Sequence, residues 1–216
     1  MESAVSGTGP VPSVMSPMTV DLSFKDKVFA QVDLPEVHCS AGGTAVNVTE
    51  QLIKIEDMDA YKAFVRSLTL DERLTLQLRN GKCSIKAMGL TSKCQYAKDV
   101  ELVGMNGPRI EDVELLRTDD ADRFTSKMNV INPSPLEIDH GMSEFQLENE
   151  AGETIADLKG ELKIIRGTST LTTECVMRKA VSTAGARLVG RGVEVESWCS
   201  ETIKNINVPV RLPDHL

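Results

Sequence analysis

Phe124-Thr125-Ser126-Lys127-Met128-Asn129-Val130-Ile131-Asn132-Pro133-Ser134-Pro135-Leu136 contains a strand and the corner that ends it. Within the alternating run Arg123–Ile131, Phe124, Ser126, Met128 and Val130 point one way and Thr125, Lys127, Asn129 and Ile131 the other, the period-two signal of a half-buried strand. Pro133 and Pro135 each remove an amide donor and bias the preceding residue toward extended geometry. Asn132 can bond its own local backbone and help turn the chain. Sheet pairing is expected to stop after Ile131, with the chain redirected at the corner to the opposite sheet.

The flanking sequence repeats this grammar. Ile110–Leu116 precedes an acidic turn at Asp119-Asp120-Ala121-Asp122. Leu136–Ile138, Ser143–Glu148, Glu153–Leu158, Glu161–Ile165 and Ser169–Arg178 follow, with Gly141, Gly152, Gly160 and Gly167 read as chain reversals between them. Gly192–Glu196 then predicts a strand, Trp198–Asn205 a short helix and Val208–Leu212 a last strand. Short alternating runs between turn residues indicate an all-β sandwich or barrel.

The first half is similar. Val28, Ala30, Val32 and Leu34 alternate up to Pro35, and Ala45–Val48 and Leu52–Glu56 follow Gly42-Gly43. Met58, Tyr61, Phe64, Val65 and Leu68 recur at helical steps, predicting a helix over 58–68 capped by Asp57 or Asp59. Leu74, Leu76 and Leu78, then Cys83, Ile85 and Ala87, alternate on either side of Asn80-Gly81, which predicts a hairpin over 74–87. A strand at Lys98–Val103 ends in the cluster Gly104-Met105-Asn106-Gly107-Pro108. Residues 1–18 show little apolar periodicity and are expected to be a disordered tail.

Ile53-Lys54-Ile55-Glu56-Asp57 and Val193-Glu194-Val195-Glu196-Ser197 each precede a short helix and a strand. Two related units are one explanation, and chance similarity of two amphipathic strands is the other.

Composition narrows the function. A net charge of −8 and 4% aromatic residues disfavour nucleic acid, whose binding draws on Lys, Arg and stacking rings. No run reaches the ~20 apolar residues of a spanning helix, and the first 20 residues lack the basic and apolar regions of a signal peptide. Cys39, Cys83, Cys94, Cys175 and Cys199 are widely spaced without a CxxC. They read as buried free thiols, with one disulfide open to a chain in an oxidising lumen.

The candidate chemistry is thin. Asp139-His140-Gly141 reads as a solvated turn. His38-Cys39 is no metal pair, because neighbours on a strand face opposite ways. The acidic turn at Asp119 lacks the glycine and glutamate of a calcium loop. There is no nucleophile elbow, phosphate loop or dinucleotide fingerprint. No catalytic residue, metal ligand or cofactor is assigned, no ligand-binding residue is identified, and the chain is expected not to be an enzyme. Asn47-Val48-Thr49 matches the N-glycosylation acceptor pattern at Asn47.

The run Phe124–Leu136, with its corner Asn132, Pro133, Ser134, Pro135 and Leu136, resembles the late-embryogenesis-abundant (LEA) type-2 superfamily, also called the water-stress and hypersensitive-response superfamily. It is most similar to a fungal branch of unknown function whose membrane proteins carry several such domains in tandem. There the domains look like Lys98–Gly107, Phe124–Leu136 and Gly160–Leu171, and the resemblance extends over about residues 20–212. It implies an antiparallel β-sandwich of the LEA type-2 kind with one or two short helices, complete over 109–212. Residues 19–108 would be the C-terminal part of a preceding unit without its own corner. That segment is expected to pack on or extend the second, or the chain to be a shortened form of a longer protein. The implied function is a non-enzymatic membrane-proximal module that binds lipid or another apolar ligand between its sheets. Its place would be the lumenal side of an endomembrane or vacuolar membrane, where an acceptor at Asn47 would carry meaning. The alternative is a protein–protein scaffold or stress-protective domain acting through sheet edges. Neither involves nucleic acid.

Overall fold

The structure, a computed structural model, describes residues 2–5, 11–40, 44–47, 51–119, 122–178 and 182–212. The fold is all-β and sandwich-like, mostly antiparallel, with few short helices. In chain order the first elements are β1 (Glu2–Val5), β2 (Ser13–Met15), β3 (Met18–Phe24), β4 (Lys27–Leu34), β5 (Val37–Cys39), β6 (Thr44–Asn47), helix α1 (Met58–Leu70), β7 (Arg73–Ala87) and β8 (Leu90–Val103). Then come β9 (Arg109–Arg117), β10 (Arg123–Asn132), β11 (Ile138–Glu148), β12 (Thr154–Ile164), β13 (Gly167–Met177), β14 (Arg187–Val193), helix α2 (Cys199–Thr202) and β15 (Asn207–Pro209). Two compact units result, Met1–Ala63 with Thr75–Glu101, and Phe64–Leu74 with Leu102–Leu216.

In the first unit the strand order is β4-β3-β7-β2-β5, and β8 also pairs with β7. β1 and β6 form a separate antiparallel pair. The expected disordered tail is therefore corrected over its described residues. β2 pairs with β5 and β7, and its register on β7 continues into that of β3: Met15 faces Ile85, the Ser16 amide donates to Ser84 O at 2.9 Å, and Asp21 faces Arg79. A three-residue strand is too short to declare a period, so only its partners reveal it. Leu52–Glu56 makes an isolated bridge at Ile55 to Ala30 instead of a strand. Gly42 and Gly43 lie outside the described residues.

The hairpin expected over 74–87 is also corrected. β7 runs through Asn80-Gly81 without reversing. Asn80 takes a left-handed conformation (φ 59°), and the buried positions change from even (Leu74, Leu78) to odd (Cys83) across it, while the register against β3 and β2 is the same on both sides, so the strand twists locally and does not turn back. A Cβ at Gly81 would sit 2.8 Å from Val20 Cγ1 and 2.9 Å from Tyr96 Cβ, so the glycine serves close approach. The reversal comes at Met88-Gly89, where both residues have positive φ (52° and 79°), as a two-residue type I′ turn requires. Holding a methionine there costs about 1 kcal/mol.

Helix α1 begins where expected. Asp57 Oδ1 accepts the Ala60 amide at 2.9 Å, and Tyr61 stacks obliquely on Phe29 with centroids 5.8 Å apart. From Phe64 onward the helix belongs to the second unit. There the amides of Gly104, Met105 and Gly107 donate to the carbonyls of Glu72, Leu68 and Thr69 at 2.7–2.8 Å. These bonds satisfy acceptors that a helix end and the turn after it leave open, which is how the helix extends to Leu70. Gly104 is packed so closely on Asp71 O that a Cβ would collide with it.

The second unit's sheet has the order β15-β14-β11-β12-β13-β10-β9. Helix α2 and the 3-10 turn Ile203–Asn205 match the short helix expected at 198–205. β11, β12 and β13 are a meander, and β10 lies beside β13, a Greek-key arrangement. The corner thus links two strands of one sheet, and the expected passage to an opposite sheet is corrected. β10 and β11 stand three places apart, roughly 14 Å at ordinary strand spacing. The five residues 133–137 cover that distance with slack to spare, and the chain bends at Ser134 and Pro135 on the way. Gly152 and Gly167, with φ 79° and 81°, flank reversals as expected. Gly160 lies mid-strand in β12, where a Cβ would collide with Thr172 O.

Asn132 is 1% exposed. Its Nδ2 donates to Leu136 O at 2.8 Å and its Oδ1 accepts the Ser134 amide at 2.8 Å. Ser134 Oγ in turn accepts the Leu136 amide at 3.1 Å. Asn132→Ala would strand a buried amide and a carbonyl, each costing about 1–3 kcal/mol. We expect urea denaturation to give a loss of roughly 3 kcal/mol, against less than half that for Leu136→Ala at its half-buried side chain.

Candidate functional site

Seven groups of side chains invite a functional reading. The corner closes on itself: Asn132 and Ser134 are buried and spend their polar atoms on each other's backbone. It is a structural clasp. Asn47 ends β6, while Val48 and Thr49 of its acceptor triplet lie outside the described residues. Asp120 and Ala121 of the acidic turn also lie outside them. His38 is the exposed residue of β5, between buried Val37 and Cys39, its Nε2 2.9 Å from Glu36 Oε1.

His140 departs from expectation. It is not in a solvated turn but buried in β11. The pairing of β11 with β12 jumps from Asp139↔Lys163 to Gly141↔Leu162, so His140 is the extra residue of a bulge, and Gly141 (φ 66°) completes it. Its Nδ1 has no hydrogen-bond partner among the described residues. Burial holds the imidazole neutral and pushes its pKa down to about 4, against the opposing pull of Asp139. The sequence carries a trace of this in apolar Ile138 at an even position and Phe145 and Leu147 at odd ones, and burial shows the same change, even at Ile138 and His140 and odd at Ser143, Phe145 and Leu147. Such a change of phase marks one inserted residue.

The thiols are similarly unreactive. Burial, then Asp157, pushes Cys175 up to about 11. Burial raises Cys199, whose Sγ approaches Asp139 O at 3.6 Å. Cys83 is raised by burial and then by Cys94, which faces it across the β7–β8 pair closely enough to share a hydrogen bond. Nucleophilic chemistry needs the thiolate, and these surroundings oppose it. Among the described residues no three of His, Cys, Asp and Glu are grouped to hold a metal ion.

The β7–β8 hairpin ends in an exposed apolar tip. Its tip places Met88 at 83% and Leu90 at 77% exposure. Lys82, Lys86 and Lys93 are exposed and make no ion pair among the described residues, whereas Arg79 nearer the base is engaged by Asp99. Residues 73–98 hold six of the chain's 24 basic residues and none of its 32 acidic ones. Whole-chain net charge concealed this segregation.

The profile of a family described as "Protein of unknown function (DUF3712)" matches residues 27–147, more than half of the chain. No curated protein matches. Among solved structures the chain is similar to one from a study of the inhibition of the exo-β-D-glucosaminidase CsxA by castanospermine and australine analogues. The identity is 11% and the TM-score 0.31, covering 98% of this chain and 25% of that one. The chain thus spans about a quarter of that protein's length.

Two measurements check these side chains. A histidine whose pKa falls on folding stabilises the fold above its unfolded value and loses that contribution as pH drops toward its folded one. Between pH 6.5 and 4 we expect His140 to cost roughly 3 kcal/mol, seen as a steeper acid loss in denaturation curves of the parent than of His140→Phe. Glutathione disulfide is expected to join Cys83 to Cys94 before Cys39, Cys175 or Cys199 react. The two thiols lose two hydrogens to the oxidant, and peptide mass mapping reads out the link.

Proposed function

We propose, of a chain that belongs to the DUF3712 family of proteins of unknown function, that it is a non-enzymatic, membrane-proximal β module of the LEA type-2 kind. In this reading it binds lipid or another apolar ligand against the inner face of its seven-stranded sheet. The observation that carries the reading is the make-up of that face. Met128, Leu147, Leu158, Leu162, Leu171 and Leu188 are buried on it, and register sets Phe145 beside Leu158 on one side and Gly190 on the other. Unbranched and γ-branched aliphatic side chains repack around an acyl chain more readily than rigid rings do. The non-enzymatic part is supported by a neutral, bulge-held His140 and by thiols driven upward in pKa. The resemblance of Phe124–Leu136 to the LEA type-2 corner supports the family kinship and the membrane setting.

Native mass spectrometry of the purified chain after incubation with a lipid extract tests this directly. Adducts of lipid mass are expected under gentle ionisation, at lower occupancy in Leu171→Trp, where an indole takes up the space. A chain that stays free of lipid at every concentration that keeps it folded would overturn the reading.

A further inference from the structure

We propose that the β7–β8 hairpin docks the protein on an anionic lipid bilayer, its apolar tip entering the headgroup layer and its lysines meeting the lipid phosphates. Three observations converge. The first is charge: in a chain of net charge −8, the segment 73–98 is purely basic, which makes it complementary to an anionic surface. Of the nearby acids, Asp21 on β3 faces Arg79 and accepts from Asn80 near the base of the hairpin, and Glu36, just before β5, is held by His38.

The second is the form of the tip. Met88 and Leu90, among the most exposed large apolar side chains described, stand at the end of two long strands rather than on a face that another element could cover. Lys86 lies two residues before Met88 and Lys93 three after Leu90. At about 3.4 Å per residue, their ammonium groups fall roughly 7–10 Å behind the apolar end. That matches the 5–10 Å to which apolar groups of interfacial elements sink beneath the phosphates, and flexible lysine stems can adjust the remainder.

The third is conformational. Met88 occupies a left-handed position (φ 52°) that Asn, Asp or Gly fill with less strain. Strain retained at an exposed position, where no packing rewards it, points to a use for that side chain. Nucleic acid is the less favoured anionic partner, because the hairpin offers Tyr96 as its one aromatic ring and methionine and leucine do not stack bases.

This docking is separate from the ligand uptake proposed above. Variants at the tip should leave lipid adducts in native mass spectrometry unchanged, so either idea can fail without the other.

The test is flotation of the full chain with vesicles of phosphatidylcholine containing 30% phosphatidylserine, beside vesicles of phosphatidylcholine alone. The chain should float with the mixed vesicles and be released by salt. Lys86→Gln with Lys93→Gln should weaken binding by about tenfold or more, given what each surface lysine contributes near anionic lipid. Met88→Asn with Leu90→Ser should also lose binding while melting at or above the parent temperature, since Asn suits the turn; that rules out misfolding as the cause. Equal flotation with both vesicles, or full binding by either double variant, would overturn the proposal. So would lysine-dependent retention of single-stranded DNA in the absence of vesicle binding.

Discussion

The second unit depends on one buried amide. Asn132 meets Leu136 O with its donor and the Ser134 amide with its acceptor, and Ser134 passes the arrangement on to the Leu136 amide. Two prolines extend the connection but leave its ends without ladder bonds. The asparagine and serine supply those bonds from side chains instead. With Asn132 and Ser134 buried and their polar atoms satisfied, the link crosses the end of the sheet with Pro133, Pro135 and Glu137 exposed, and β10 can sit beside β13 rather than beside β11.

Glycine has two distinct uses around this clasp. Gly152 and Gly167 supply a left-handed residue beside reversals. Gly104 and Gly160 instead leave room for a neighbouring carbonyl, and in the first case that closeness lets the 104–107 segment finish helix α1. The two uses look identical in sequence, because the letter does not say whether conformation or space requires it. This is why Gly160 reads as a turn and is a contact.

What the sequence made legible follows the range of the forces involved. The alternation of β10, the period of α1 with its Asp57 cap, and the late helix at 199–205 rest on neighbours two to four residues apart, and each matched. Asn80-Gly81 misleads because its turn preference is real but local: β7 pairs with β3 below it and β2 above it, and those ladders outweigh a hairpin. β2 escapes notice for the same reason in reverse, being held only by partners more than 20 residues away. His140 was hidden by its setting, since Asp and Gly on either side suggest solvent while a bulge turns the imidazole inward. The corner as a motif was legible, and its destination was not. The charge segregation of the hairpin was written in the sequence but vanishes when charge is summed over the whole chain.

The Greek-key order has a kinetic consequence. β11, β12 and β13 are joined by short reversals and can pair as soon as their residues are available. β10 must wait, because its partner positions on β13 lie some 35 to 53 residues further along the chain, and closing so long a loop carries an entropic cost that local pairing does not. The meander is therefore expected to form first and β10 to be recruited last, bringing β9 with it. Until then the free edge of β13 stands open, and the corner residues have no folded neighbours to shield their amides. The step that completes the sheet is thus the one that also buries Asn132, so the clasp acts as a latch closed at the end of folding rather than a nucleus that starts it.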